Sequence, residues 1–370
     1  MSALRLLIGL LLITGSAFGA ASSSAVSDSA GRGLVKIGAS DPRFTYEGRI
    51  DFSDPTAPVL IWSGTKVSID FEGNSLALDF AGGTEQNFFD VSVDGVTTRI
   101  GSRTDGLSRV DIAVPHTGER HTLTLFKRSE AASGTIHFTG IEVAAGSAVT
   151  KASVPADRPR FEFFGDSIMV GACNEDGTED QWEDRSTHNN ALSYTALTAA
   201  AFGADYRCIA VSGIGISIGF VKIVAAQAWD RIYPRADSPR DNLAAWQPDV
   251  AFLNYGENDS GFSASHGLAF PADYTERYVA LVHTMRAAYP HTHFVLLRGG
   301  MSGGANNPKL KAAWEAVVTE LEKSDSAVSH YVFKHWSQTH PRVADDRAMA
   351  DELVAWLKAQ PFMKNVSARR

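Results

Sequence analysis

The sequence predicts two successive folds: an antiparallel β-sandwich of jelly-roll type over residues 34–148, then an α/β domain built on a parallel sheet over 160–370, with a short linker at 149–159. Three observations predict it. Apolar residues alternate with period two through the first half, as they do in half-buried strands. Glycine-centred turn signals punctuate those runs. Beyond Pro155-Ala156-Asp157-Arg158-Pro159, compact apolar runs alternate with longer stretches of helical spacing, the grammar of a parallel sheet with helices on both faces.

The elements follow in chain order. The apolar stretch at 4–13, broken only by Arg5 and Gly9, and the small residues at 14–21 read as a secretory signal peptide over 1–21, cleaved near Gly19 to Ala21. A membrane anchor is excluded because so short a stretch cannot cross ~30 Å of hydrocarbon at ~1.5 Å per residue. Residues 22–33 are rich in serine and read as a flexible linker. The expected mature protein is therefore exported, secreted or periplasmic, and free of the membrane. Strands of the sandwich are expected at Val59-Leu60-Ile61-Trp62, Lys66-Val67-Ser68-Ile69-Asp70-Phe71, Ser75-Leu76-Ala77-Leu78-Asp79-Phe80 and Phe89-Asp90-Val91-Ser92-Val93. Gly73-Asn74, Gly82-Gly83 and Asp94-Gly95 separate them, and Asp-Gly between two strands is a strong hairpin signal. In the second half, strands are expected at 160–164, 206–211, 249–255, 293–298 and 330–333, and helices at 191–202, 220–229, 272–288, 308–323 and 343–358.

Charge and cysteine usage narrow the function. With 34 Lys+Arg against 42 Asp+Glu the net charge is −8, and because binding nucleic-acid phosphates needs a basic stripe, no nucleic-acid partner is expected. Only two cysteines occur, Cys173 and Cys208, which rules out a disulfide framework and a cysteine-rich metal site. One bridge between them and two buried free thiols both stay open.

Ligands of open parallel sheets bind beyond the carboxyl ends of the strands. Four polar or glycine-bearing segments follow four different expected strands there. Phe163-Phe164-Gly165-Asp166-Ser167-Ile168 sets a serine hydroxyl where a helix begins, although alone it reads as an ordinary helix cap. Val211-Ser212-Gly213-Ile214-Gly215 allows close approach of backbone N–H groups, and its spacing fits neither a dinucleotide fingerprint nor a P-loop. Tyr255-Gly256-Glu257-Asn258-Asp259 offers a side-chain amide to a developing oxyanion. Ser337-Gln338-Thr339-His340-Pro341 leaves a histidine on a loop whose proline starts the next helix.

Ser167, Gly213, Asn258 and His340, each after a different strand and in this order, make the chain resemble the SGNH or GDSL hydrolase superfamily. It is closest to carbohydrate esterase family two, in which a jelly roll precedes a three-layer, flavodoxin-like SGNH domain. The likeness extends to Gly48-Arg49-Ile50-Asp51-Phe52-Ser53, Trp246-Gln247-Pro248-Asp249-Val250 and Ala288-Tyr289-Pro290. The resemblance implies a metal-independent, cofactor-free O-acetylesterase, monomeric, acting on acetylated xylan or glucomannan through an acyl-enzyme at near-neutral to mildly alkaline pH. Carried over by position, Ser167 is the nucleophile and His340 the general base. The N–H groups of Ser167 and Gly213 and the Asn258 side chain form the oxyanion hole, each donor being worth ~3 kcal/mol.

Two departures from the pattern matter. Ser337 stands three residues before His340, where the superfamily often has aspartate, so a Ser167–His340 dyad is expected, with a backbone carbonyl in the 334–337 stretch orienting the imidazole. Glu257 replaces a small residue and is expected as a solvated loop carboxylate. Trp336 is the candidate sugar platform, with a packed core residue as the alternative. The jelly roll is expected to wall one side of the cleft. The rival readings are a lipase or thioesterase, which would prefer longer acyl chains, and a catalytically silent carbohydrate-binding protein.

Overall fold

The computed structural model describes residues 33–368 apart from 105 and 116–119. The expected signal peptide at 1–21, and the linker behind it up to residue 32, lie outside the described residues.

Alternation in the first half produces two facing antiparallel sheets. One runs, in spatial order, Ile50–Asp51, Val59–Leu60, Ile136–Ala144, Leu76–Ala81 and Arg109–Ile112, with Leu34–Gly38 also paired to Ile136–Ala144. The other runs Val149–Thr150, Lys66–Glu72, Arg120–Lys127, Asn87–Val93 and Val96–Ser102, with Thr45–Glu47 also paired to Lys66–Glu72. Ile69, Phe71, Leu78, Phe89, Phe138 and Ile141 meet between them. The Asp94-Gly95 signal is realised: Val93 pairs with Val96, and φ is 52° at Asp94 and 83° at Gly95. Both central residues of a two-residue hairpin loop take that left-handed conformation, because it matches the strand twist.

The second half forms a five-stranded parallel sheet in the order Asp205–Ala210, Arg160–Gly165, Val250–Asn254, His293–Met301, Val328–Ser337. In chain order this is 2-1-3-4-5, the flavodoxin-like arrangement, whose switch point lies between the first and third strands. Successive residues of one strand feed two cores. Ala251 and Leu253 pack with helices Tyr274–Ala288 and Pro308–Ser324 on one face, while Val250 and Phe252 pack with Tyr194–Ala201 and Val343–Ala359 on the other. Burial on both faces explains why these strands read as continuous apolar runs.

The helix expected at 220–229 shrinks to a single turn, Ala225–Ala228. The preceding segment instead folds back on the glycine loop, Phe220 N–H donating to Gly213 O at 2.8 Å. A helix over Glu257–Ser265 was not expected, since its mostly polar residues carry no apolar stripe.

Sandwich and α/β layer meet through buried polar contacts. Arg49 is 1% exposed; its Nη1 donates to Trp229 O at 2.6 Å and Arg231 O at 2.9 Å, and its Nη2 to Glu162 Oε1 at 3.1 Å. Glu162 lies inside Arg160–Gly165, the second strand of the parallel sheet, and also accepts from Tyr289 Oη at 2.9 Å. Trp62 Nε1 donates to Ile232 O at 2.7 Å.

Candidate active site

All four block residues line one pocket of about 610 Å³ at the carboxyl edge of the sheet. Ser167 opens the short helix Ser167–Val170, which Asp166 caps by accepting from Ile168 N–H at 3.1 Å. Gly165 is required where the strand turns into this helix: a Cβ there would lie 2.6 Å from Met169 Sδ and 2.8 Å from Asn254 O. Gly213 has φ 83°, which an L side chain rarely adopts. Among the described residues neither the Ser167 nor the Gly213 backbone N–H has an acceptor.

Asn258 and Asp259 brace the glycine loop from the helix that starts at Glu257. Asp259 accepts from the N–H groups of Ile216, Ser217 and Ile218 at 2.9, 2.7 and 3.1 Å. Asn258 Nδ2 donates to Asp166 Oδ2 at 3.0 Å and to Ile214 O at 2.9 Å. Both amide hydrogens are thus engaged, and a bond from Asn258 to an oxyanion requires one of these to be given up. Burial pushes the Asp166 carboxyl up to about 8, against the hydrogen bond from Ile168 N–H, with the charges of Glu257 and Asp259 adding to the rise.

His340 is not left to a backbone carbonyl. Its Nδ1 lies 2.7 Å from Asp180 Oδ2, so a carboxylate completes a serine–histidine–acid geometry and the expected dyad is corrected. Asp180 Oδ1 also accepts from Arg342 Nη1 at 2.8 Å. Partial burial works to raise the Asp180 pKa, but the hydrogen bonds from His340 and Arg342 outweigh it and hold the carboxyl well below the usual range. Ser167 Oγ and His340 Nε2 are not hydrogen-bonded to each other; both face the pocket, and such contacts commonly tighten only around substrate.

The aromatic assignment changes as well. Trp336 is 40% exposed and does not line the pocket, so it is neither a core residue nor a wall of the site. Trp182 lines it instead and stacks on His340, ring centroids 5.4 Å apart and planes 30° apart. The Arg185 guanidinium sits 4.3 Å over the Trp182 ring and also reaches the pocket. Glu257 is no solvated loop carboxylate: it lines the pocket and accepts from Gly303 N–H at 2.9 Å and Gly304 N–H at 2.5 Å. Burial raises its pKa against those bonds. Cys173 and Cys208 are buried free thiols, which closes the question of a bridge.

Asp180, Trp182 and Arg185 were missed because they ride one irregular loop that also holds Glu175, Asp176, Glu179, Glu183 and Asp184, and periodicity cannot rank its acids. The sandwich fastens that loop. Gln86 donates through Nε2 to Glu183 O at 2.8 Å and accepts from Arg185 N–H at 3.1 Å, and Arg103 pairs with Asp184 at 2.8 Å. Glu130 and Ala132 of the sandwich line the pocket directly, the wall expected of it.

Two family descriptions match the chain. Residues 46–153 match the Carbohydrate esterase 2 N-terminal family and residues 163–354 the GDSL-like Lipase/Acylhydrolase family. The chain is 30% identical over 329 residues to Cellulase/esterase CelE of Acetivibrio thermocellus; the match covers 86% of this chain but spans only 39% of that protein. It is 26% identical over 326 residues to Acetylxylan esterase / glucomannan deacetylase of Cellvibrio japonicus, covering 83% of this chain and 87% of that one. A family two carbohydrate esterase from Clostridium thermocellum, solved in complex with cellohexaose, superposes with a TM-score of 0.77 at 28% identity, over 85% of this chain and 98% of that one. No helix among the described residues is long and apolar enough to cross a membrane.

Proposed function

The chain belongs to the GDSL-like lipase/acylhydrolase family and carries a carbohydrate esterase 2 N-terminal domain, and from that premise we propose that it is a serine O-acetylesterase of acetylated hemicellulose, xylan or glucomannan, exported and monomeric. The observation that carries this reading is the 2.7 Å bond between His340 Nδ1 and Asp180 Oδ2 at the wall of a pocket that also holds Ser167. The resemblance to an acetylxylan esterase / glucomannan deacetylase supports the substrate class.

Ser167 Oγ attacks the acetyl carbonyl carbon and passes its proton to His340 Nε2. Asp180 accepts the Nδ1 hydrogen bond, keeps the proton off Nε2 in the resting tautomer and stabilises the imidazolium that forms. Negative charge on the former carbonyl oxygen meets the N–H groups of Ser167 and Gly213, which have no other acceptor among the described residues. The Asn258 amide joins them by exchanging its bond to the Ile214 carbonyl. Collapse breaks the bond to the sugar oxygen, which leaves with the proton from His340. Water, activated by the same histidine, then releases acetate. Trp182 offers apolar indole surface and Arg185 guanidinium donors to the sugar, and Glu130 places the sandwich in the same wall.

The test is acetate release from acetylated glucomannan and acetylated xylan by wild type and Ser167→Ala, with p-nitrophenyl octanoate as control. Wild type is expected to release acetate and ignore octanoate, and Ser167→Ala to be inert. Octanoate turned over faster than acetate would replace this reading with a lipase or thioesterase.

A further inference from the structure

The loop that carries Asp180 to His340 also carries a thiol that the acyl-transfer chemistry does not use. Cys173 is fully buried and stands at φ 56°, in the left-handed region that favours glycine. Its Sγ, one carboxylate oxygen of Asp180 and one ring nitrogen of His340 all lie within 4.8 Å of one another. His188, itself 1% exposed, faces the same sulfur with Nε2 at 3.4 Å. Arg342 holds Asp180 Oδ1 at 2.8 Å, which leaves Oδ2 as the oxygen turned toward the histidine.

Thiolate, imidazole and carboxylate are the donors that Zn²⁺ selects, and the sulfur turns the set away from Mg²⁺ or Ca²⁺. Around a tetrahedral zinc, sulfur and nitrogen donors stand about 3.6 Å apart, given bonds of ~2.3 Å and ~2.05 Å. The three donor atoms already lie within 4.8 Å of one another, so the sulfur draws in by at most about 1.2 Å, while the Asp180–His340 pair, now 2.7 Å apart, opens by about 0.7 Å.

We propose that Cys173, Asp180 and His340 form an inhibitory Zn²⁺ site that shares its histidine with the acyl-transfer machinery. Binding itself does not depend on the esterase reading; the inhibition does. The ion takes the lone pair at His340 Nδ1, so the imidazole keeps its single proton at Nε2. The Cys173 thiol proton leaves to solvent as the Zn–S bond forms, and one H⁺ is released per ion bound. A histidine protonated at Nε2 cannot accept the Ser167 proton, so the zinc-bound enzyme is inactive whatever substrate is offered. The ion acts here as an inhibitor and supplies nothing to the reaction.

The experiment titrates metal-free wild type and Cys173→Ser with Co²⁺, reading the sulfur-to-cobalt charge-transfer absorption in the near ultraviolet, then adds Zn²⁺ and follows p-nitrophenyl acetate hydrolysis. Wild type is expected to bind one Co²⁺ with that absorption and lose it to Zn²⁺. Its kcat should fall at least tenfold with Zn²⁺ and recover with EDTA. Cys173→Ser should keep the basal rate, show no band and require at least tenfold more Zn²⁺ for the same inhibition. Absence of the band in wild type, or equal Zn²⁺ inhibition of both proteins, overturns the site. A band in a wild type that hydrolyses no ester upholds the ion site and overturns the esterase reading instead.

Discussion

Replacing Asp180 by asparagine removes the charge beside His340 while leaving a side chain of the same shape, whose amide oxygen can still accept from Arg342. The magnitude follows from the 2.7 Å separation. At that distance two unit charges attract by about 6 kcal/mol at an effective dielectric of 20 and about 1.5 kcal/mol in bulk water. Asp180 has 26% of its side chain exposed and shares its charge with Arg342, so a value between these limits applies. About 3 kcal/mol of transition-state stabilisation corresponds to a rate loss of roughly 150-fold. Asparagine adds a second loss. Its amide N–H, turned toward Nδ1, favours the tautomer with the proton on Nε2, and in serine-protease triads the same replacement costs about 10⁴ in kcat. We therefore expect Asp180→Asn to lower kcat on p-nitrophenyl acetate by about 10³–10⁴, and Asp180→Ala, which cannot donate, by about 10². KM should move by no more than a few fold in either variant, and the melting temperature should stay near that of wild type. Retention of more than a tenth of the wild-type kcat by folded Asp180→Asn would refute the reasoning and return His340 to a backbone partner.

Three further outcomes are expected. Arg49→Met strips Glu162, buried inside the parallel sheet, of its guanidinium partner and should cost about 3–5 kcal/mol in urea unfolding, whereas Arg49→Met combined with Glu162→Gln should recover part of it; additive losses would show that the pair is not coupled. Burial, aided by the charges of Arg185 and His340, pulls the His188 pKa down to about 3 from 6.5; the native state then binds fewer protons than the unfolded one between these values, so stability falls on acidification below pH ~6.5, by up to ~1.4 kcal/mol per pH unit. His188→Gln should flatten that slope between pH 6.5 and 4.5, and an unchanged slope would count against a buried neutral imidazole. Trp182→Ala should raise KM for acetylated glucomannan at least tenfold while Trp336→Ala stays within twofold; the reverse ranking would restore Trp336 as the sugar platform.

Much of the molecule was readable from local pattern. Period-two alternation and the Asp94-Gly95 turn marked the sandwich, because strand pleat and hairpin twist are properties of adjacent residues. The parallel strands betrayed themselves as continuous apolar runs, because helices cover both their faces. Ser167, Gly213, Asn258 and His340 were legible as residues just past strand ends, where the polypeptide leaves the sheet. The segment at 220–229 misled because its apolar spacing suits a helix, whereas Phe220 is spent on closing the glycine loop. Glu257 misled because a carboxylate beside a glycine looks solvated until the Gly303-Gly304 amides arrive from the next strand's end.

The sequence by itself determined the two folds, the order of the blocks and the nucleophile and base proposed for the chemistry, since each depends on spacing within a few residues. Tertiary structure alone decided which acid faces His340, which tryptophan lines the pocket and that both cysteines remain thiols. Asp180 and His340 are 160 positions apart. They meet because the sheet order brings their strand ends to one edge and the sandwich, through Gln86 and Arg103, clamps the loop between them. No periodicity records such a contact, because it is made by anchoring an irregular loop at a distance rather than by repeating a local conformation.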